Sequence, residues 1–242
     1  MKNQIYCKDC LEGMKEMEED SVDIVVTSPP YNIGTSVRGD MYSDYGDNLN
    51  QDDYLNFITK VLNELIRVTK GYIFFNFQIL KDNKFAYLEI LSKFKKNIKE
   101  IIIWHKKQVQ PAIQPTCLSS AFEFVIVFAK KELCEKRSFE RAFFNNREKG
   151  QLNTNVIYGD NVSCVKEFNV NQGTNKAVFP KYFVKWFLKK FTIEGDLILD
   201  PFMGSGTVAV ACKEMKRNYL GFEISEEYCS IARDKLTQET LF

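Results

Sequence analysis

Short apolar runs alternate with amphipathic stretches along most of this chain. Ile5-Tyr6-Cys7-Lys8-Asp9 opens as a short strand, and Cys10 to Glu19 follows as a helix with Leu11, Met14 and Met17 at helical spacing. Val22-Asp23-Ile24-Val25-Val26 has the length and β-branched content of a buried strand. Pro29-Pro30 stops that strand, because proline lacks an N–H and disfavours helix in the residue before it. A polar loop with Gly34, Gly39, Gly46, Tyr42 and Tyr45 runs from Ile33 to Asp53 and reads as a lid or an inert surface loop. Asp52 or Asp53 then caps a helix whose Leu55, Ile58, Leu62, Leu65 and Ile66 share one face, with Gly71 as its end. Tyr72 to Phe77 predicts a strand, Phe85 to Phe94 a helix, and Ile101 to Trp104 and Phe122 to Phe128 two further strands.

Periodicity fades over residues 131–175, which are rich in Asn, Lys and Arg apart from Asn155-Val156-Ile157-Tyr158, and this stretch reads as an insertion outside the core. An amphipathic helix begun by Pro180 follows, then a strand ending Leu197-Ile198-Leu199-Asp200, a glycine turn, a helix through Val208 to Ala211, a strand over Tyr219 to Phe222, and a last helix carrying Tyr228, Ile231, Ala232 and Leu236. Strand–helix alternation of this kind implies an α/β fold: one doubly wound, mainly parallel sheet with helices on both faces. Residues 1–130 and 176–242 form the two halves of that core, with 131–175 between them.

Composition changes this picture little. The 242 residues are 45% hydrophobic and 27% charged, as in an ordinary globular protein. No apolar stretch reaches the length of a membrane span and the N-terminus has no signal-peptide h-region, so a cytoplasmic location without membrane contact is the expectation. Seven scattered cysteines argue against a disulfide framework, and with a single histidine they offer no completed metal site, Cys7 and Cys10 included. The net charge of +1 hides an asymmetry. Residues 1–60 hold five Lys and Arg against twelve Asp and Glu, whereas residues 93–149 hold thirteen against six. The basic segment, with Lys106, Lys107, Lys130 and Lys131, is a candidate track for a phosphate backbone.

Two stretches carry chemistry. In Thr27-Ser28-Pro29-Pro30-Tyr31-Asn32 a polar-aromatic cluster sits at a strand's carboxyl end, where open α/β sheets bind ligands. An amino group on a nucleobase is a poor nucleophile because its lone pair is delocalised into the ring. Ser28 and the Pro29 carbonyl together can accept both of its N–H bonds and localise that lone pair. Pro30 stiffens the turn, and Tyr31 offers a ring face to a base taken out of its stack. Read alone, the tetrapeptide is equally a stiff turn. In the second stretch, Asp200-Pro201-Phe202-Met203-Gly204-Ser205-Gly206-Thr207, glycines let a ligand approach the backbone and the helix start favours an anion or carboxylate. Glu223, after the next strand, suits ribose hydroxyls. Gly204-x-Gly206-x-x-Ala209 also fits a dinucleotide fingerprint, so a nicotinamide enzyme competes as a reading.

Taken together, Thr-Ser-Pro-Pro-Tyr-Asn near the start and Asp-Pro-Phe-Met-Gly-Ser-Gly-Thr near the end resemble the DNA amino-methyltransferases that use S-adenosylmethionine, in the motif order of their beta group. The resemblance spans nearly the whole chain and implies a Rossmann-like methyltransferase fold, circularly permuted. It implies that Ser28, Pro29, Pro30 and Tyr31 hold the target amine and base, and that Asp200, Phe202, Gly204, Ser205, Gly206 and Thr207 enclose the methionine part of the cofactor with Glu223 on its ribose. Asp9 and Cys10 match a Gly-Asp position near the adenine, although Lys8 replaces the usual glycine. Asn175-Lys176-Ala177 stands where His-Pro-Ala is common. Residues 131–175 become the candidate target-recognition region.

The implied function is transfer of a methyl group to the exocyclic amine of a base flipped from double-stranded DNA. Ser before Pro-Pro-Tyr favours cytosine N4 over adenine N6. Methylation at cytosine carbon five needs a cysteine nucleophile, which enzymes of that kind carry in a Pro-Cys pair, and no cysteine here follows a proline. A cognate restriction endonuclease and a homodimer are the partners such a family suggests. The competing readings are an RNA or protein-amide methyltransferase and a non-catalytic DNA-binding subunit.

Overall fold

The computed structural model describes residues 2–32, 49–80, 83–106, 116, 118–143, 154–159 and 180–238. Eight strands form one sheet: β1 (Gln4–Cys7), β2 (Ile24–Thr27), β3 (Ile73–Phe77), β4 (Ile98–Lys106), β5 (Phe122–Phe128), β6 (Val156–Gly159), β7 (Leu197–Asp200) and β8 (Asn218–Glu223). Their spatial order is β1-β8-β7-β2-β3-β5-β4-β6. Every strand runs parallel to its neighbours except β5, which is antiparallel to both β3 and β4.

Between the strands lie α1 (Cys10–Lys15), α2 (Gln51–Val68), α3 (Lys84–Lys93), the one-turn α4 (Lys131–Cys134), α5 (Lys181–Phe191), α6 (Thr207–Glu214) and α7 (Glu226–Gln238). Helices α1, α2 and α3 bury Met14, Ile58, Leu62, Leu65 and Tyr87 against one face of the sheet, with Ile73, Phe75 and Phe77. Helices α5, α6 and α7 bury Phe183, Phe187, Ala209 and Ala232 against the other, with Phe74, Val125 and Trp104. The sheet is therefore the doubly wound layer expected, and strand alternation sends successive side chains of β3 to opposite cores.

Local physics shifts several boundaries. Helix α1 stops at Lys15 rather than Glu19, because Glu18, Glu19 and Asp20 would bring negative charge to a helix C-terminus. The cap of α2 is Asn50, whose side chain accepts the Asp53 N–H, and Asp52 and Asp53 lie in the first turn where the helix dipole favours them. The chain leaves α2 at Thr69 in an extended conformation, before Gly71. Strand β4 is longer than its apolar centre Ile101 to Trp104. The segment 131–175, read as lying outside the core, contributes β6 to the sheet edge beside β4. Its residues 144–153 and 160–175 lie outside the described residues, as do residues 33–48 of the polar loop read as a lid or an inert surface loop, and Asn175-Lys176-Ala177.

Candidate active site

The strand order reverses between β7 and β2. From β7 the chain proceeds outward to β8, and from β2 it proceeds the other way to β3. A crevice opens beyond the carboxyl ends of the strands at such a point. Across it Thr27, fully buried at the end of β2, donates its hydroxyl to Asp200 Oδ1 at 2.7 Å, joining residues 173 apart in sequence. The two motif-bearing turns are thereby held side by side.

On the β7 side the glycine turn bends through left-handed conformations, with φ of 51° at Gly204 and 86° at Gly206. A Cβ at Gly206 would also approach the Ala232 Cβ to 2.8 Å, so only glycine fits there. Asp200 Oδ1 accepts the Phe202 N–H at 3.1 Å, and burial pushes its carboxyl up to about 7. Glu223, at the end of β8, accepts the Gly204 N–H at 2.7 Å and the Ser225 N–H at 2.9 Å. The Ser205 hydroxyl is buried without a hydrogen-bond partner among the described residues, although Lys235 donates to its carbonyl at 2.7 Å. An orphaned buried hydroxyl beside a carboxylate and a glycine turn suits a small ligand carrying hydroxyl, amino and carboxylate groups. Phe202 meets Phe57 of α2 edge-on at 6.1 Å. Asp9 is the N-cap of α1, its Oδ1 accepting from Leu11 and Glu12 N–H groups. Cys10 is buried behind it, with its thiol pushed up to about 12 by that burial.

On the β2 side the Pro-Pro turn is tied to the helices. Tyr54 of α2 donates its hydroxyl to the Pro30 carbonyl at 2.8 Å and lies 3.0 Å from the Tyr87 hydroxyl of α3. Asn83 donates to the Tyr31 carbonyl at 2.8 Å. The Ser28 hydroxyl donates to Tyr31 Oη at 3.0 Å, and Tyr31 Oη donates to Glu123 Oε2 at 3.1 Å. Asn76 Nδ2 reaches both Tyr31 Oη, at 2.8 Å, and Glu123 Oε2, at 2.7 Å. Lys106 pairs with the other oxygen of Glu123 and lies 5.2 Å from the centre of the Trp104 ring. The result is a polar cluster at the carboxyl edge of the sheet.

Of the four candidate lysines, Lys106 thus belongs to this internal cluster, with only 12% of its side chain exposed. Lys130 and Lys131 follow the carboxyl end of the antiparallel β5, which places them at the opposite edge of the sheet from Ser28. There Lys130 bonds Glu19 at 3.1 Å and Asp20 at 2.8 Å, and Lys131 pairs with Glu135 at 3.4 Å. Lys107 lies outside the described residues.

Sequence reasoning passed over Thr27, Asn76 and Glu123. The signal for two of them was present. Asn76 interrupts Ile73-Phe74-Phe75-Asn76-Phe77 and Glu123 interrupts Phe122-Glu123-Phe124-Val125, and a polar group inside a buried strand needs a partner. What the sequence hides is that β5 runs backwards, bringing its amino end to the same edge as the ends of β2 and β3.

Known proteins resemble this chain over most of its length. The chain is 28% identical over 249 residues to the Type II methyltransferase M.HpaI of Haemophilus parainfluenzae, covering 99% of this chain and 76% of that protein. Its fold matches the cytosine-N4-specific PvuII DNA methyltransferase with a TM-score of 0.74 at 18% identity, over 96% of this chain and 85% of the other. It matches the M1.HpyAVI–SAM complex with a TM-score of 0.63 at 22% identity, over 96% and 98% of the two chains. Residues 22–234 match the family model for the N6_N4_Mtase DNA methylases, and this chain belongs to that family.

Proposed function

We propose that this protein transfers a methyl group from S-adenosylmethionine to the exocyclic amine of a base flipped out of double-stranded DNA, with cytosine N4 as the target. The observation that carries the reading is the bond from Thr27 to Asp200, which sets a turn suited to a methionine-bearing nucleoside beside the turn that holds an amine. Bound S-adenosylmethionine supplies an electrophilic methyl on its sulfonium. The chain's own groups do the rest. Glu223 holds ribose hydroxyls, the backbone and side chains of Phe202 to Thr207 enclose the methionine end, and Asp9 and Cys10 border the adenine. Ser28 and the Pro29 carbonyl accept the amine's N–H bonds, and the tethered Pro30 and Tyr31 keep the nitrogen in line with the methyl. Only displacement is required, and no covalent bond to the protein forms.

Cytosine rests on Ser28, the residue that in this family's resemblance accompanies N4 chemistry. Adenine N6 is the second reading, because the family to which the chain belongs spans both amines and a hydroxyl accepts from either. Residues 131–175 carry target recognition in this reading. Its implied setting is the cytoplasm, alongside a cognate restriction endonuclease. No helix among the described residues is long and apolar enough to cross a membrane.

Nucleoside mass spectrometry on mixed-sequence DNA incubated with protein and methyl-labelled cofactor tests the reading. Label in N4-methylcytosine is the expected result. Label in N6-methyladenine overturns the base, and no label with cofactor bound points to an RNA or protein substrate or to a non-catalytic subunit. The placement of the lysines gives a second expectation. Changing Lys130 and Lys131 to Gln leaves the salt dependence of DNA binding unchanged, whereas losing a lysine that contacts phosphate lowers its slope by about 1. Binding titrations at several salt concentrations measure this, and a shallower slope would bring the far edge of the sheet into the DNA interface.

A further inference from the structure

The polar cluster behind Ser28 has a direction. Tyr31 Oη receives hydrogen bonds from Ser28 Oγ at 3.0 Å and from Asn76 Nδ2 at 2.8 Å, which occupy the acceptor positions of a phenol oxygen. Its own proton is left to point at Glu123 Oε2, 3.1 Å away. Asn76 Nδ2 also donates to that carboxylate oxygen at 2.7 Å, and Lys106 donates to the other. The Ser28 hydroxyl, with its proton directed at Tyr31, keeps its lone pairs for accepting. Strand alternation gives the same arrangement, since Asn76, Glu123 and Lys106 share the sheet face that carries Phe74, Val125 and Trp104.

We infer that Glu123 is the terminal acceptor for the proton that the target amine gives up, reached through Ser28 and Tyr31; this rests on the methyl-transfer reading above. As the nitrogen forms its bond to the methyl carbon, that carbon's bond to sulfur breaks. The nitrogen, now carrying positive charge, releases a proton to Ser28 Oγ. The Ser28 proton moves to Tyr31 Oη, and the Tyr31 proton moves to Glu123 Oε2. The carboxylate ends as a neutral acid, both hydroxyls are restored, and no electrons change hands beyond the bond exchange. Losing a proton returns the alkylated nitrogen's lone pair to conjugation with the ring, which makes that proton strongly acidic and drives its transfer along the chain towards the carboxylate. Glu123 stands on the antiparallel strand, outside both sequence motifs. Only 7% of it is exposed, so bulk water is a poor substitute acceptor.

The groups that contact Glu123 are Lys106 from β4, Asn76 from β3 and Tyr31 from the catalytic turn, and the charge of Glu123 also reaches the Tyr87 hydroxyl of α3, which packs on the other face of the sheet. The test compares wild type, Glu123→Gln, Glu123→Asp and Tyr31→Phe by single-turnover methyl transfer to DNA across pH at saturating cofactor, with cofactor and DNA affinities measured in parallel. Glu123→Gln and Tyr31→Phe are each expected to lose about 10²-fold in rate and to lose the fall in rate at acid pH, with affinities unchanged. Glu123→Asp is expected to recover part of both. Should Glu123→Gln fail to fold, Tyr31→Phe decides alone, because it cuts the proton path and leaves the Lys106–Glu123 pair in place. A rate and acid limb like wild type in either variant overturns the relay, and so does a rate loss that merely follows lost cofactor or DNA affinity. A wild type that labels no DNA sinks the methyl-transfer reading itself. A labelled wild type with unaffected variants sinks the relay alone.

Discussion

Changing Ser28 to Ala lowers single-turnover methyl transfer by about 10²-fold, equivalent to about 2.7 kcal/mol of lost transition-state stabilisation. In the proposed mechanism the hydroxyl accepts an amine N–H and draws it away from the plane of the base, and its own proton is committed to Tyr31. Alanine leaves the amine conjugated and detaches it from the polar cluster. It does not disturb the neighbouring Thr27, whose bond to Asp200 holds the glycine turn. Cofactor affinity is therefore expected to stay within about twofold, because an interaction absent from the bound ground state costs rate and not binding. Incorporation of labelled methyl at saturating cofactor, with affinity determined separately, measures both. An unchanged rate would remove Ser28 from the chemistry, and a rate loss matched by lost cofactor binding would make it a structural residue.

Changing Asp200 to Asn is expected to flatten the dependence of stability on pH. Burial holds this carboxyl at about 7, against 3.8 for an ordinary aspartate. In strong acid both folded and unfolded chains carry the proton, and the raised value has no effect. As pH climbs between the two values the unfolded carboxyl ionises while the buried one keeps its proton, so stability falls. Above about 7 both are ionised and the loss levels off. Between about pH 5 and about pH 8 this site alone costs wild type roughly 2.5 kcal/mol, at about 1.4 kcal/mol per pKa unit. Asparagine has nothing to titrate. Its amide oxygen still accepts from Thr27 and Phe202, so whatever constant cost it carries cancels between the two pH values. Urea unfolding of both proteins at the two pH values checks the difference, and parallel curves would show that Asp200 is not held protonated.

Much of this architecture could be read directly from the residues. The apolar runs ending at Val26, at Phe128 and at Asp200 declared their strands, and Pro-Pro and Gly-x-Gly declared the turns that followed, because proline restricts the backbone and glycine admits left-handed conformations. Cap choice was less legible. Asn50, Asp52 and Asp53 are all competent N-caps, and only the helix packing decides among them. The edge strand β6 showed only as the short apolar run Asn155 to Tyr158, and its place in the sheet stays hidden until β4 lies beside it. At the site, the two motifs marked out the turns that the structure brings together, while the placement of Glu123, Asn76 and Lys106 depends on which edge of the sheet a strand end reaches. That is a property of topology, and the reversed β5 is the reason the sequence conceals it.

The strand order also governs how the molecule comes into being. Strand β1 pairs with β8, and β2 is flanked by β3 on one side and β7 on the other. A chain emerging from the ribosome has the Pro-Pro turn early, but the β7 side of β2 stays open and β1 lacks its partner β8 until the last strands arrive. Such distant pairings delay folding, since loop closure precedes any reward from contact. The seam between β2 and β7, where Thr27 meets Asp200, is thus among the last parts of the sheet to close, and the crevice that unites the two turns exists only in a nearly finished protein.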